Sequence, residues 1–125
     1  MHVEQLRDYC LSLPGTTEGF PFDAETLVFK VMGKMFALAP LETGRSVNLK
    51  CDPERSEELR AEWEEIQPGF HMSKKHWNTV SLTGRLTDSM IRELIDHSYE
   101  LVVKGLKKAD RLALEELKEN GGGTK

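Results

Sequence analysis

The positions of apolar residues divide the first half of the chain into a helix and three strands. Apolar residues three or four positions apart predict a helix over residues 3–13, which a Pro-Gly pair ends. Residues 16–25 lack a regular period and predict an ordered loop. Alternation of apolar and polar residues over residues 26–38 predicts a β-hairpin with Gly33-Lys34 as its turn, and alternation over residues 47–51 predicts a third strand.

The second half is predicted to contain two helices with a strand between them. Asp52 precedes a proline and several acidic residues, which favours the start of a helix that runs to about Glu65. A Pro-Gly pair breaks this helix, and residues 76–82 alternate in the manner of a strand. A long helix follows, capped by Thr87 or Asp88.

The distribution of these elements predicts the domain organisation. The elements up to residue 108 form one unit, since a chain of 125 residues is long enough for one core and too short for two ordinary ones. Residues 109–120 are prone to form a helix and are predicted to be a C-terminal helical extension. The Gly-rich residues 121–125 are predicted to be a disordered tail.

The alternation also assigns the strand residues to two faces of an antiparallel sheet. A turn centred on Gly33-Lys34 places one set against the helices: Leu27, Phe29, Val31, Phe36 and Leu38. The opposite face then carries Ala37 and Ala39 together with a more polar set: Lys30, Asn48, Lys50, Trp77, Thr79 and Ser81. If the helices cover only one side of the sheet, this second face lies open to solvent.

Composition is that of a soluble globular protein. Hydrophobic residues make up 38% of the chain and charged residues 30%, well short of the signature of disorder. No apolar stretch approaches the roughly 20 residues that a membrane span needs, and the N-terminus does not resemble a signal peptide. With only two cysteines, the chain is predicted to be cytoplasmic and not to associate with a membrane.

Basic and acidic residues are concentrated in different segments of the chain. A net charge of −4 argues against a general polyanion binder. However, residues 26–51 hold four basic residues and one acid, and residues 66–87 hold three basic residues and no acid. Residues 52–65 hold seven acids and two arginines. A late basic cluster, Lys104, Lys107, Lys108 and Arg111, either complements the C-terminal end of a helix or extends a nucleic-acid footprint.

Few residues carry the spacing of a catalytic or metal site. Residues 71–79 combine lysines, histidines, an indole and an amide but lack the Gly-rich loop of a nucleotide-phosphate site. His71 and His76 are five positions apart, which points them to divergent faces and disfavours a shared metal. Cys51 fits the core alternation and is predicted to be a buried, inert thiol rather than a nucleophile.

Several segments resemble the MmcQ/YjbR family of small bacterial proteins. They are YCLSLPGTTEGFPF, VFKVMGKMFAL, NLKCDP, PGFHMSKKHWNTVSL and IDHSYELVVKGL. The resemblance implies an α+β, two-layer sandwich with an antiparallel sheet and hairpin wings packed by helices on one side, related in shape to the frataxin-like fold. It also implies the double-wing mode of DNA binding that is proposed for the family. The matching residues are Lys34 at the hairpin tip and Lys74, Lys75, His76, Trp77 and Asn78.

We therefore hypothesise a non-enzymatic domain that binds the DNA backbone with modest, largely sequence-independent affinity. The candidate contacts are Lys30, Lys34, Lys50, Lys74, Lys75, His76, Trp77, Asn78 and Arg85. We predict no catalytic residue, metal or cofactor. One alternative is an uncharacterised enzyme, or a binding protein for a small anionic or aromatic ligand, with a pocket around Trp77 and His76. Another is a protein-interaction module that uses the acidic helix.

Overall fold

The computed structural model describes residues 1–123 as four helices packed on a six-stranded antiparallel sheet. The strands lie in the order β1-β2-β3-β4-β6-β5. The predicted α+β class is confirmed. In chain order the elements are α1 (Val3–Ser12), β1 (Thr16–Gly19), β2 (Thr26–Val31), β3 (Lys34–Pro40), β4 (Ser46–Lys50), α2 (Pro53–Glu62), β5 (Ile66–Pro68), β6 (Trp77–Ser81), α3 (Asp88–Lys104) and α4 (Lys108–Gly123).

Two short strands at the edges of the sheet are absent from the sequence prediction. β1 lies within the predicted loop of residues 16–25 and pairs with β2. β5 pairs with β6 at the other edge, and Ile66 is the only buried residue of β5. The chain is already extended at Trp63, so α2 ends before Glu65. Neither edge strand shows alternating apolar residues, because edge strands of this length bury few side chains.

The β2–β3 hairpin turns one residue earlier than the sequence predicts. Met32 and Gly33 have φ angles of 49° and 84°, and two positive φ angles in succession are typical of a type I′ turn. Val31 therefore pairs directly with Lys34. Gly33-Lys34 is not the turn, and Lys34 is the first residue of β3 rather than the tip of the hairpin.

A β-bulge at Phe36 reverses the sheet faces that were predicted for the next three residues of β3. The β2–β3 register skips Phe36, which is the extra residue between two successive pairs. Ala37 and Ala39 consequently lie in the main core, while Leu38 lies on the opposite face of the sheet. The prediction had these three residues reversed, because a shift of one residue moves every side chain to the other face.

Ser98 of α3 fills the gap that this bulge leaves between β3 and β4. Its hydroxyl donates to the Phe36 carbonyl at 2.6 Å and accepts from the Lys50 backbone N–H at 2.9 Å. Ser98 is completely buried. These two bonds satisfy backbone groups that leave the ladder, and they fix the C-terminal half of α3 against the ends of both strands.

All four helices contribute side chains to the core on one side of the sheet. The main core includes Leu6 of α1, Ile95 of α3 and Leu114 of α4, and Leu59 of α2 packs against it. This arrangement agrees with the predicted helical layer. Within residues 1–123, no helix has both the length and the apolar character to cross a bilayer.

The C-terminal extension packs on the domain through a close approach at Gly15. Leu114 Cδ1 lies 2.7 Å from the position that a Cβ atom of residue 15 would occupy, and Gly15 has a φ of 74°. The positive φ favours glycine at this position, and a larger residue would also force the Leu114 side chain to move. Helix α4 continues to Gly123 and so includes residues 121–123 of the tail predicted to be disordered, whereas residues 124–125 lie outside the described residues.

Candidate nucleic-acid interface

The antiparallel register gathers the ends of four strands at one end of the sheet. β2 ends and β3 begins there, because Val31 pairs with Lys34, and β4 ends where β6 begins, because Lys50 pairs with Trp77. α3 runs toward the same end, and the residues that follow it begin α4. We call this the lysine-rich end after the lysines of these segments: Lys30, Lys34, Lys50, Lys74, Lys75, Lys104, Lys107 and Lys108.

Lys34 and Lys50 converge on a cleft of about 300 Å³ where β3 and β4 separate. Met35 and the α3 residues Leu101 and Val102 line the same cleft. Lys30 pairs with Met35 across the β2–β3 ladder and lines a second cavity, beside Thr17 and Glu18, one strand away from this cleft. Among residues 1–123, the ion pairs use arginines or the terminal amine and leave the lysines without an acidic partner.

A turn over residues 73–76 brings two further lysines beside β4. The His76 carbonyl accepts from the backbone N–H of Cys51 at 2.9 Å, which places the turn next to Lys50. Lys75 and His76 are exposed. Lys74 is also exposed, and its ammonium donates to the Gly69 carbonyl at 3.1 Å.

Arg60 of α2 holds this turn in place. Its guanidinium donates to the carbonyls of Lys74 and Trp77 and, through Nε at 2.7 Å, to Asn78 Oδ1. The Asn78 amide in turn donates to Ser56 Oγ at 3.3 Å. Asn78 is only 2% exposed, so it joins α2 to β6 and does not belong to the predicted contact surface.

Trp77 is buried and does not belong to the predicted contact surface either. Its side chain packs against Val28 and Leu38 in a small second core on the face of the sheet that faces away from the helices. Met72, from the loop between β5 and β6, packs against this cluster. Trp77 is 9% exposed, and its indole therefore presents no free face for a base or a flat ligand.

The face that was predicted to lie open is partly covered by this same loop. The Phe70 N–H donates to Thr79 Oγ1 at 2.9 Å, and the Phe70 carbonyl accepts from Asn48 Nδ2 at 3.3 Å. The Thr79 hydroxyl completes the ring by donating to Asn48 Oδ1 at 2.6 Å. The Asn48 amide and the Thr79 hydroxyl, predicted to lie on the open face, thus bind each other and the backbone of Phe70.

Arg85 lies at the opposite end of the sheet. Its Nε is 3.1 Å from Glu65 Oε2, its backbone N–H donates to the same oxygen, and its guanidinium lies over the Trp63 ring. Hydrogen bonding from Arg85 lowers the pKa of Glu65 to about 2. The structure therefore separates Arg85 from the lysines with which the sequence analysis grouped it.

Comparison with known proteins identifies the relatives of this chain. The YjbR family model matches residues 11–101. The chain is 36% identical over 118 residues to the uncharacterized protein YjbR of Escherichia coli strain K12, an alignment that covers 94% of this chain and 100% of the relative. The chain belongs to the YjbR family.

Membership of the YjbR family extends to further relatives and to the fold. The uncharacterized protein YbdF of Escherichia coli O157:H7 is 38% identical over 109 residues, which cover 86% of this chain and 89% of YbdF. The crystal structure of Deinococcus radiodurans DR2400, with domain DUF419, superposes with a TM-score of 0.83 at 47% identity, covering 91% of this chain and 88% of that one. The family and the fold are thus established on both sequence and shape.

The cysteines of this YjbR-family chain are buried, whereas the two histidines singled out from the sequence are exposed. Burial raises the pKa of the Cys51 thiol, and it raises the pKa of Cys10 to about 12, so both cysteines are protonated. Cys51 is buried, as predicted. His71 and His76 are exposed, and residues 1–123 contain no group of three or more His, Cys, Asp or Glu side chains that could hold a metal ion.

One histidine near the lysine-rich end is expected to make the free energy of unfolding depend on pH. His97 Nε2 accepts from the backbone N–H of Asp52 at 3.2 Å, at the start of α2. Burial and, next, repulsion from Arg55 lower the pKa of His97 below 6.5, while Glu93, Asp52 and Glu100 act in the opposite sense. At a pH between the pKa of His97 in the unfolded chain and its lower pKa in the folded chain, His97 is therefore protonated mainly in the unfolded chain.

We expect the contribution of neutral His97 to the free energy of unfolding to be fully present above pH 6.5. It should be lost as the pH falls through the pKa of His97 in the folded chain. The free energy of unfolding is measured with urea at about pH 7.5 and at about pH 5.5. Between these two pH values, it should fall less for His97→Gln than for the wild type. Equal losses in the two proteins would show that His97 carries no such linkage.

Proposed function

We propose that this YjbR-family protein binds DNA through the phosphate backbone and that the lysine-rich end is its contact surface. The observation that carries the proposal is the position of the lysines. Lys30, Lys34 and Lys50 come from three different strands, and Lys75 comes from a loop, yet all lie at one end of the sheet. Phosphates are the usual partners of such grouped lysines.

Some of the acidic residues lie away from the lysine-rich end, which supports this orientation. Glu42 follows β3, Glu65 precedes β5 and Asp88 begins α3, all at the end opposite the lysines. Near the lysine-rich end, the Asp52 carboxylate is engaged by the N–H of Arg55 as the cap of α2. A net negative protein can thus present a positive surface to a polyanion.

The proposed binding is non-enzymatic, modest in affinity and largely independent of sequence. Lysine ammonium groups contact phosphates as point charges and carry no information about the bases. The protonated cysteines supply no thiolate nucleophile. Such binding would place the protein in the cytoplasm with the chromosome.

A matched pair of substitutions on β4 tests the proposal. Lys50 lies at the lysine-rich end of this strand, and Arg45 immediately precedes its other end. Fluorescence anisotropy with a labelled duplex of about 20 base pairs in roughly 50 mM salt should show weaker binding by Lys50→Gln, by roughly tenfold if one phosphate contact is lost. Arg45→Gln removes the same charge and should bind like the wild type. No binding by the wild type, or equal effects of the two substitutions, would contradict the proposed surface.

The cleft between Lys34 and Lys50 supports a second candidate function, the binding of a small anionic ligand. Its volume of about 300 Å³ and its lining by Met35, Leu101 and Val102 suit a compact molecule with an apolar body. This replaces the pocket predicted around Trp77, whose indole is buried. DNA is preferred because the lysines continue beyond the cleft to Lys30 and Lys75.

A further inference from the structure

An exposed aromatic pair lies on the loop between β5 and β6, which carries Lys74 and Lys75. Phe70 is 67% exposed, and its ring centroid is 4.0 Å from that of His71. The Phe70 side chain belongs to neither core cluster. Because so little of the Phe70 side chain is buried, it contributes little to the stability of the fold, and its ring is accessible to a ligand.

The backbone that presents this pair is held firmly. Thr79 and Asn48 bond to the N–H and the carbonyl of Phe70, and the Gly69 N–H donates to the Trp77 carbonyl at 2.8 Å. His71 has a φ of 60°, in the left-handed region that residues other than glycine rarely adopt. The fixed backbone directs the Phe70 ring to solvent instead of letting it fold onto the nearby apolar cluster.

A positive charge lies next to the backbone that leads into the aromatic pair. The Lys74 ammonium is 3.1 Å from the carbonyl of Gly69, the residue that precedes Phe70. Lys75 follows and is exposed. An aromatic ring beside lysines matches the two parts of one nucleotide, since the base stacks on the ring and the phosphate pairs with the ammonium.

We propose that Phe70 and His71 form a stacking site for an unpaired base and that Lys74 and Lys75 contact the adjoining phosphates. The protein should then bind single-stranded DNA more tightly than duplex DNA, because bases within a duplex are already stacked on one another. This inference rests on the proposed function, since the loop lysines belong to the same lysine-rich end.

The test compares Phe70→Ala with Phe22→Ala. Phe22 is 64% exposed, almost as much as Phe70, but lies in the loop between β1 and β2 near Asp23 and Glu25, so it controls for the loss of an exposed ring. Anisotropy is measured with labelled oligothymidine of about 15 nucleotides and with a duplex of the same length. Phe70→Ala should weaken binding to the single strand by roughly tenfold and leave the duplex affinity unchanged, while Phe70→Tyr and Phe22→Ala should behave like the wild type.

The outcomes separate this inference from the proposed function. If the wild type binds both probes and Phe70→Ala binds the single strand equally well, the stacking site is wrong while DNA binding stands. If Phe22→Ala weakens binding to the same extent, the effect is not specific to the loop and the stacking site is again wrong. If the wild type binds neither probe at low salt, both proposals fail.

Discussion

Replacing Arg60 with alanine is expected to lower the free energy of unfolding by about 2–3 kcal/mol, since three hydrogen bonds from a charged donor are lost, one of them to the buried Asn78 side chain. Arg60 is the donor to Asn78 Oδ1 and to the carbonyls of Lys74 and Trp77. Asn78 is 2% exposed, so its oxygen cannot recover a water molecule without rearrangement. The loss of these bonds should also loosen the turn that carries Lys74 and Lys75.

Arg55 on the same helix provides the control. It pairs with Glu93 at 2.7 Å, but the Glu93 side chain is 57% exposed, and exposed ion pairs contribute only about 0–1 kcal/mol. Urea unfolding followed by circular dichroism should therefore separate Arg60→Ala clearly from Arg55→Ala. If both variants unfold within about 0.5 kcal/mol of the wild type, the Arg60 contacts do not hold the turn.

Neutralising several lysines together should have the largest effect on DNA binding. The variant with Lys34→Gln, Lys50→Gln and Lys75→Gln removes three exposed or half-exposed charges and no buried contact. At low salt each phosphate contact contributes roughly tenfold to the affinity, so we expect a loss of roughly 100- to 1,000-fold. The free energy of unfolding should stay within about 0.5 kcal/mol of the wild type, because these are surface positions.

A control variant tests whether this loss reflects position or net charge. Arg92 of α3 is exposed and lies in the first turns of that helix, at the end of the sheet opposite the lysines. Combining Arg92→Gln with Arg45→Gln and Arg85→Gln removes the same total charge from other parts of the surface. If this control loses as much affinity as the lysine variant, net charge alone explains the binding.

The elements with one buried face could be predicted from the sequence. β4 and α3 bury residues at regular intervals, and β4 runs over residues 46–50 where the sequence predicts a strand over residues 47–51. The cap of α3 was also correctly predicted, because the Thr87 side chain accepts from the N–H of Met90 at 3.1 Å. Local periodicity and capping depend on neighbouring residues, so they are visible without the fold.

Two features that depend on distant residues could not be predicted in this way. The bulge at Phe36 is stabilised by Ser98, 62 residues away, and it reverses the faces of the residues that follow it. The burial of Trp77 depends on a loop that Asn48 holds against the sheet. Alternation in β6 correctly places Trp77 away from the helices, but it cannot show that another segment covers that face.

The candidate site was predicted in part, for a related reason. Basic segments are visible in the sequence, but which of their residues share an end depends on strand order and direction. Lys34 and Lys50 meet at one cleft, whereas Arg85 is held by Glu65 at the other end. The sequence analysis selected Trp77 rather than Phe70, although Phe70 directly precedes the same polar segment.

The salt dependence of duplex binding tests the central claim, that the lysine-rich end contacts phosphates, most directly. We expect a slope of about −3 to −5 in a plot of log affinity against log salt concentration for the wild type, since each phosphate contact contributes about −0.9. The variant with Lys34, Lys50 and Lys75 replaced by glutamine should show a slope shallower by roughly two to three. A wild-type slope near zero, or the same slope in both proteins, would contradict the claim.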